Sequence, residues 1–470
     1  MYYLYNSDFD AQGRTGAGGT AWYHATSSDM VQWTDVGVAI EKYKPGAGGR
    51  ILGDIETGSA VVGSENTLGY GHGIIFALLT QMQDGIQQQS LFRSNDNGYT
   101  YNDHHDNPVL PNPNPSNKPP FRDPKVVWDD SSSQWLSLIA EANRIGFYAF
   151  KNLEDWRYIS SFYPQLDLGI LECPDMFQLD LDGDSSKRAW TLMVGANGYR
   201  NDRTTGTAYW TGHWDGNTYT TDRITPMWMD DGPDFYTTVT WTDAQPEDDT
   251  TFAARYSIAW LNNWDYATQL PCYGSWQGQN SLVRHIQLRT VAGIATLIGT
   301  PSTVYNGLFA SPTTIAERSI TTDPVSADLP FMAGGAYVIK MTVQRQSGSA
   351  ANEVRVRIKS DGVHGSTVGY DFVRTQAFIV QGSDGTRAHS MPSAAQRTYD
   401  KVRTGPVADP LSSVTLAIYV DWNSVEVFVN EGIKSMAAPI YPDDGAETIQ
   451  ITADSGQLIL ESFSYTEALT

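Results

Sequence analysis

One pattern limits what this chain can fold into more than any other: a strand pair followed by a polar turn and an aromatic, recurring at roughly 60-residue intervals. The runs are Ser27 to Trp33, Arg93 to Tyr99, Lys151 to Trp156 and Trp214 to Tyr219. Ser, Asp, Asn and Gly close turns by bonding nearby backbone or by tolerating positive φ. The segments between them, such as residues 73–79 and 237–241, are short, β-branched or aromatic, and bounded by turn residues. Convincing helical periodicity is hard to find. Radial repetition of small antiparallel sheets produces this spacing, and continuing it through Tyr256 to Trp260 gives about five blades by residue 290.

The texture changes from Thr290 onward. Trp nearly vanishes, and apolar and polar residues alternate along Tyr337 to Val343, Glu353 to Ile358 and Val425 to Val429. Such alternation marks sheets with one solvated face, as in a β-sandwich. The expected fold is therefore all-β: a five-bladed β-propeller over residues 1–292, then a β-sandwich over residues 293–470. Residues 293–328, rich in Thr, Ser and Pro, are expected to carry the linker and the first sandwich strand.

A length of 470 residues suits two or three domains. The formal net charge of -22 repels phosphate backbones and anionic membranes, which argues against nucleic-acid and membrane partners and favours a neutral ligand. The 14 Trp and 25 Tyr offer platforms for sugar rings, although aromatic packing in sheets accounts for most of them. No stretch has the apolar length of a membrane span, and the residues from Met1 onward are expected to form a strand and not a signal peptide. The two cysteines, Cys173 and Cys272, form neither a disulfide framework nor a metal pair.

Chemistry concentrates in two runs. In Gly169 to Phe177, Glu172 sits among Ile170, Leu171, Met176 and Phe177. Partial desolvation raises a carboxyl pKa and suits a general acid; the alternative is a structural Glu paired with an Arg. In Phe121-Arg122-Asp123-Pro124, Pro124 cannot donate to a ladder and favours extended backbone before it, which places Asp123 at a strand mouth. Blade mouths converge, so Asp123 and Glu172 are expected to face one pocket, as a carboxyl pair for glycoside cleavage. A solvated turn with a local ion pair is the other reading of Arg122-Asp123. Asp180-Leu181-Asp182-Gly183-Asp184 resembles a calcium loop but has Thr191 at the twelfth position, so a hairpin turn is expected. His24, His104 and His105 lack companions at ligand spacing. Neither a metal nor a cofactor is expected.

Arg122-Asp123-Pro124, Glu172-Cys173-Pro174 and Thr57-Gly58-Ser59-Ala60-Val61-Val62 occur in the order and spacing of glycoside hydrolase family 32, the levanases, inulinases and invertases. Trp22 to Asp29, Gly232 to Tyr236, Trp260 to Ala267 and Asp421 to Phe428 also resemble that family, so the likeness covers nearly the whole chain. The resemblance implies a propeller followed by a sandwich and retaining cleavage of β-fructofuranosyl bonds in fructan or sucrose. It implies that Glu172 is the general acid/base and that Asp123 stabilises the transition state. Arg122, Thr57, Ser59, Glu56, Trp22 and Trp264 are the implied substrate contacts. Glu56 stands where the family commonly has an aromatic, and an added carboxylate there is suited to sugar hydroxyls.

The family's nucleophile is an Asp in a Trp-x-Asn-Asp-Pro-Asn-Gly run before the first strand, and Tyr2 to Tyr5 already reads as that strand. The nucleophile is therefore expected upstream of Met1. The alternatives are a homologue without catalysis or a substitute carboxylate such as Asp8, Asp54 or Glu56. A fructosyltransferase and a non-catalytic fructan-binding protein are the rival functions. The acidity and the substrate type suggest an extracellular protein.

Overall fold

The computed structural model describes residues 2–5, 20–41, 45–46, 50–51, 53–63, 69–150, 156–198, 203–242, 252–270, 278–325, 335–361, 365–382, 398–408, 410–442 and 447–469. Five antiparallel sheets follow one another along the chain, each built from consecutive strands. Blade 1 contains Tyr2–Tyr5, Ala21–Thr26 and Thr34–Ile40; blade 2 contains Asp54–Gly63, Ile74–Gln83, Ile86–Ser94 and Asn102–Asp103. Blade 3 contains Arg122–Asp129, Gln134–Glu141, Arg144–Phe150 and Arg157–Phe162. Blade 4 runs Leu171–Asp180, Arg188–Asn197, Thr205–Trp214 and Tyr219–Thr220; blade 5 runs Tyr236–Trp241, Arg255–Leu261, Arg284–Val291 and Ile294–Pro301. A seven-stranded and a five-stranded sheet complete the chain. The fold is a five-bladed β-propeller followed by a β-sandwich.

Two compact units divide these elements: Met1–Gln178, Ala189–Asp202 and Ala208–Met227 form one, and Leu179–Arg188, Arg203–Thr207 and Trp228–Thr470 the other. In the first, the blades bury both faces, and strand periodicity decides what each face meets. Along Ile74–Gln83, Ala77 and Leu79 pack with Trp22 and Ile40 of blade 1. Their neighbours Phe76 and Leu78 pack instead with Val126, Trp135 and Phe150 of blade 3. Gly58 is required by this closeness, since a Cβ there would lie 2.2 Å from the Leu78 carbonyl oxygen.

The repeated polar run is the turn into the last strand of blades 1, 2 and 4; in blade 3 all of Lys151 to Trp156 but Trp156 lies outside the described residues. Its side chains cap backbone donors that the reversal exposes. Asp29 Oδ1 accepts from Val31 N and Gln32 N at 2.9 and 2.8 Å. Ser94 Oγ accepts from Gly98 N at 2.9 Å, and Asp215 Oδ1 accepts from Thr218 N at 2.7 Å. Tyr256 to Trp260 differs: it lies within the strand Arg255–Leu261. The last hairpin of blade 5 turns instead on Ala292 and Gly293, with φ of 47° and 79°, the pair of positive angles a type I′ turn needs. Ile294–Pro301 pairs along Arg284–Val291, so a division at residues 292–293 falls inside a hairpin.

The second unit holds blade 5 and the sandwich. The sandwich core is aliphatic, with Ile339, Val356, Val368, Leu416, Val427 and Ile451 all buried between its sheets. Beside it lies a buried ion cluster. Arg284 is 1% exposed and pairs with Asp230 at 2.9 Å and Glu426 at 2.6 Å, while its Nη1 donates to Ser435 Oγ at 2.8 Å. The guanidinium carbon lies 4.0 Å from the Phe235 ring centroid and 4.9 Å from that of Phe428. Removing the cation strands two buried carboxylates, so Arg284→Met is expected to cost about 3–5 kcal/mol in urea unfolding at pH 7. The loss should shrink as pH falls and the stranded carboxyls protonate; a loss independent of pH would contradict this account.

Candidate active site

The inner strands of blades 2, 3 and 5 share one irregularity near their starts, a register shift between Ile55 and Gly58, Arg122 and Lys125, and Tyr236 and Val239. In blades 3 and 5 an extra residue adopts left-handed backbone, Asp123 with φ 58° and Thr237 with φ 50°, and Cys173 in blade 4 has φ 44°. Such angles cost a non-glycine residue of order 1 kcal/mol and concentrate at functional sites. Sequence reasoning expects extended backbone before Pro124, and the structure departs from it because the bulge is held by hydrogen bonds. Asp123 N donates to Thr80 Oγ1 at 3.0 Å, and Cys173 N donates to Asp123 Oδ2 at 3.0 Å. Pro124 and Pro174 follow these residues and leave no further N–H to satisfy.

The bulges bring the predicted carboxylates together. Arg122 Nη2 lies 2.7 Å from Glu172 Oε1, and Arg122 Nε lies 3.7 Å from Asp123 Oδ2. The Glu172 side chain is 20% exposed and paired with Arg122. The Arg122-Asp123 pair is not a solvated turn, since Asp123 is 6% exposed. Arg122 Nε is buried beside Asp123 and makes no hydrogen bond among the described residues. Lys125 Nζ meets Asp175 at 3.1 Å, a second blade-to-blade ion pair that no sequence motif announced.

Burial pushes the Asp123 carboxyl up to about 6; the Cys173 N–H opposes this, the Glu172 charge adds to it and Arg122 offsets it. Glu56 is pushed up to about 7 by burial and by the Asp123 charge, with Arg122 and Gln87 opposing. The Cys173 thiol is half-buried and driven far up by desolvation, which removes it as a nucleophile.

The other predicted contacts have local duties. Trp22 is buried, and its Nε1 donates to the Glu56 carbonyl at 2.9 Å. Ser59 Oγ accepts from Val126 N at 2.9 Å and joins blades 2 and 3. Thr57 is half-buried beside Glu56 in the bulge. Trp264, in the second unit, is 57% exposed with its ring 5.2 Å from that of Trp260. Asp8, Asp10 and Cys272 lie outside the described residues. His104, His105 and Asp106 approach one another, but His104 Nε2 bonds Tyr70 Oη at 3.2 Å and its Nδ1 accepts from Asp106 N at 3.3 Å. The Asp180 to Asp184 loop spends its carboxylates on Arg188, Thr290 and Ser186.

The chain was compared with known proteins. The model of the Glycosyl hydrolases family 32 N-terminal domain matches residues 1–301, and that of the family 32 C terminal matches residues 308–467. The chain is similar to a levanbiose-producing levanase of Bacillus subtilis (strain 168), 33% identical over 97% of this chain and 83% of that protein. A levanbiose-producing levanase of Geobacillus stearothermophilus is 39% identical over 68% of this chain and 77% of its own length. Among solved structures, an exo-inulinase from Aspergillus awamori superposes with a TM-score of 0.83 at 26% identity, covering 100% of this chain and 93% of that one.

A raised carboxyl pKa has a thermodynamic consequence. Unfolded Asp ionises near 3.9 and folded Asp123 near 6, so folding stability falls as pH rises between them. Asp123→Asn keeps an acceptor for Cys173 N and is expected to gain about 2 kcal/mol at pH 7 and almost nothing at pH 4. Thermal unfolding at both pH values checks this; equal effects at the two would refute the buried-charge assignment.

Proposed function

The chain belongs to glycosyl hydrolases family 32, and from that premise we propose that Glu172 is its general acid/base and Asp123 its transition-state stabiliser. The enzyme is a glycosidase that hydrolyses β-fructofuranosyl linkages of fructan or sucrose type. One observation carries the assignment of roles: Arg122 stands between Glu172 and Asp123 on adjoining inner strands. Glu172 gives its proton to the glycosidic oxygen as the bond to the fructosyl carbon breaks, and later takes one from the attacking water. Asp123, ionised, faces the positive charge that develops on the fructosyl ring. Arg122 holds both carboxylates. The nucleophile of the retaining reaction is assigned to no described residue.

Levan is the proposed substrate and levanbiose the proposed product, a reading supported by the names of two relatives at 33% and 39% identity. Neither transfer nor binding without turnover is favoured by the relatives. An extracellular location is proposed, in keeping with an extracellular exo-inulinase that is 30% identical over 93% of this chain. We place the module boundary after Pro301, supported by the blade 5 hairpin and by family matches that end at 301 and resume at 308.

Incubation with levan, inulin and sucrose followed by chromatography of products tests the reading. Levanbiose from levan is expected, and intact polymer in every case would defeat it. Glu172→Gln should lower kcat by about 10²–10⁴-fold with an unchanged circular dichroism spectrum. For the parent, kcat/KM should fall as pH drops below about 6, where Asp123 takes up its proton.

A further inference from the structure

Behind the bulge of blade 2 stands a residue that no motif identified. Gln87, on Ile86–Ser94, is 8% exposed, and every polar group it carries is engaged. Its Nε2 donates to Glu56 Oε2 at 3.0 Å, its Oε1 accepts from Phe121 N at 3.0 Å, and its carbonyl accepts from Asn112 Nδ2 at 3.0 Å. Gln89, two residues on and so on the same strand face, grips the other side of the Phe121 peptide by donating to its carbonyl at 2.7 Å. Gln89 Oε1 in turn accepts from Thr80 Oγ1 at 2.9 Å, the same hydroxyl that accepts from Asp123 N. Glu56 is thereby fixed at two points, its carbonyl by Trp22 and one carboxyl oxygen by Gln87. It also opens the blade 2 bulge at the position that Asp123 takes in blade 3.

We propose that Gln87 is a positioning residue for substrate recognition: its amide ties Glu56 to the Phe121–Asp123 segment and presents the Glu56 carboxyl to a sugar hydroxyl beside Asp123. This rests on the assignment of Asp123 to the fructosyl site. Glu56 is the sugar-contacting group, and Gln87 acts through it. A carboxyl held there changes from hydroxyl donor to hydroxyl acceptor on ionisation, so substrate affinity follows its charge state. The charged groups around Glu56 are Asp54 on its own strand, Asp123 and Arg122 on the blade 3 strand and, across Arg122, Glu172 of blade 4. Burial and the Asp123 charge place its ionisation at about 7, and the Gln87 N–H favours the charged form, so losing that donor moves the ionisation to higher pH.

The test measures KM and kcat for levan from pH 5 to 9 in the parent, Glu56→Gln, Gln87→Met and the double variant, with melting temperatures over the same range. The parent KM is expected to bend near pH 7; Glu56→Gln removes the bend, and Gln87→Met moves it upward while raising KM about tenfold and changing kcat less. The double variant should be no worse than Glu56→Gln alone. Losses that add in the double variant, or a Gln87→Met variant that melts lower with the parent's KM profile, overturn the proposal. A parent that cleaves no fructan defeats the functional reading alone. The melting data then decide: the parent should lose stability as pH rises from 5 towards about 7 and Glu56→Gln should lose less, and identical pH dependence overturns the inference.

Discussion

Blade 2 packs against blade 1 on one face and blade 3 on the other, and burial of both faces is the constraint from which the site follows. A strand such as Gln134–Glu141, buried at all its positions, has no free face on which to display a catalytic group. Polar chemistry is confined to strand ends and to irregularities in the ladder. The bulges at Glu56 and Asp123 and the left-handed backbone at Cys173 supply those irregularities. Left-handed backbone at Asp123 and Cys173 is tolerated because Thr80 and Asp123 itself accept the displaced N–H groups. The site's carboxylates also make structural hydrogen bonds: Asp123 Oδ2 both steadies the next blade and stands beside Arg122.

Much of this was legible in the sequence, for physical reasons. Turn chemistry has strong local rules, so runs such as Ser27 to Trp33 and Trp214 to Tyr219 disclosed the repeat directly. The switch to alternating strands announced a sheet with one wet face, and Thr448–Ala453 bears that out, whereas Ser424–Val429 is buried throughout from Val425 onward. Arg122, Asp123 and Glu172 were visible because charged residues interrupt apolar or extended segments, and the structure joins them through one guanidinium.

What stayed hidden depends on partners distant in sequence. Gln87 and Gln89 read as ordinary polar residues of a strand, and only the fold places the Phe121 peptide between them. The Lys125–Asp175 pair spans 50 positions and matches no motif. Local rules also misled in two places. A proline suggests extended backbone before it, yet tertiary hydrogen bonds impose the opposite angle on Asp123. A change in composition near residue 290 marks the end of the aromatic blades, whereas the hairpin at Ala292 and Gly293 carries the propeller sheet one strand further.

The ion cluster around Arg284 separates two meanings of the word domain. By chain order, Arg284 and Asp230 come with blade 5, while Glu426 comes from a sandwich strand. A sandwich produced as an isolated fragment would keep Glu426 in its sheet without the cation that neutralises it. A propeller truncated after its last strand would keep Arg284 with half its counter-charge. A cut between the blades and the sandwich strands would thus run through a buried charge network that neither fragment keeps whole.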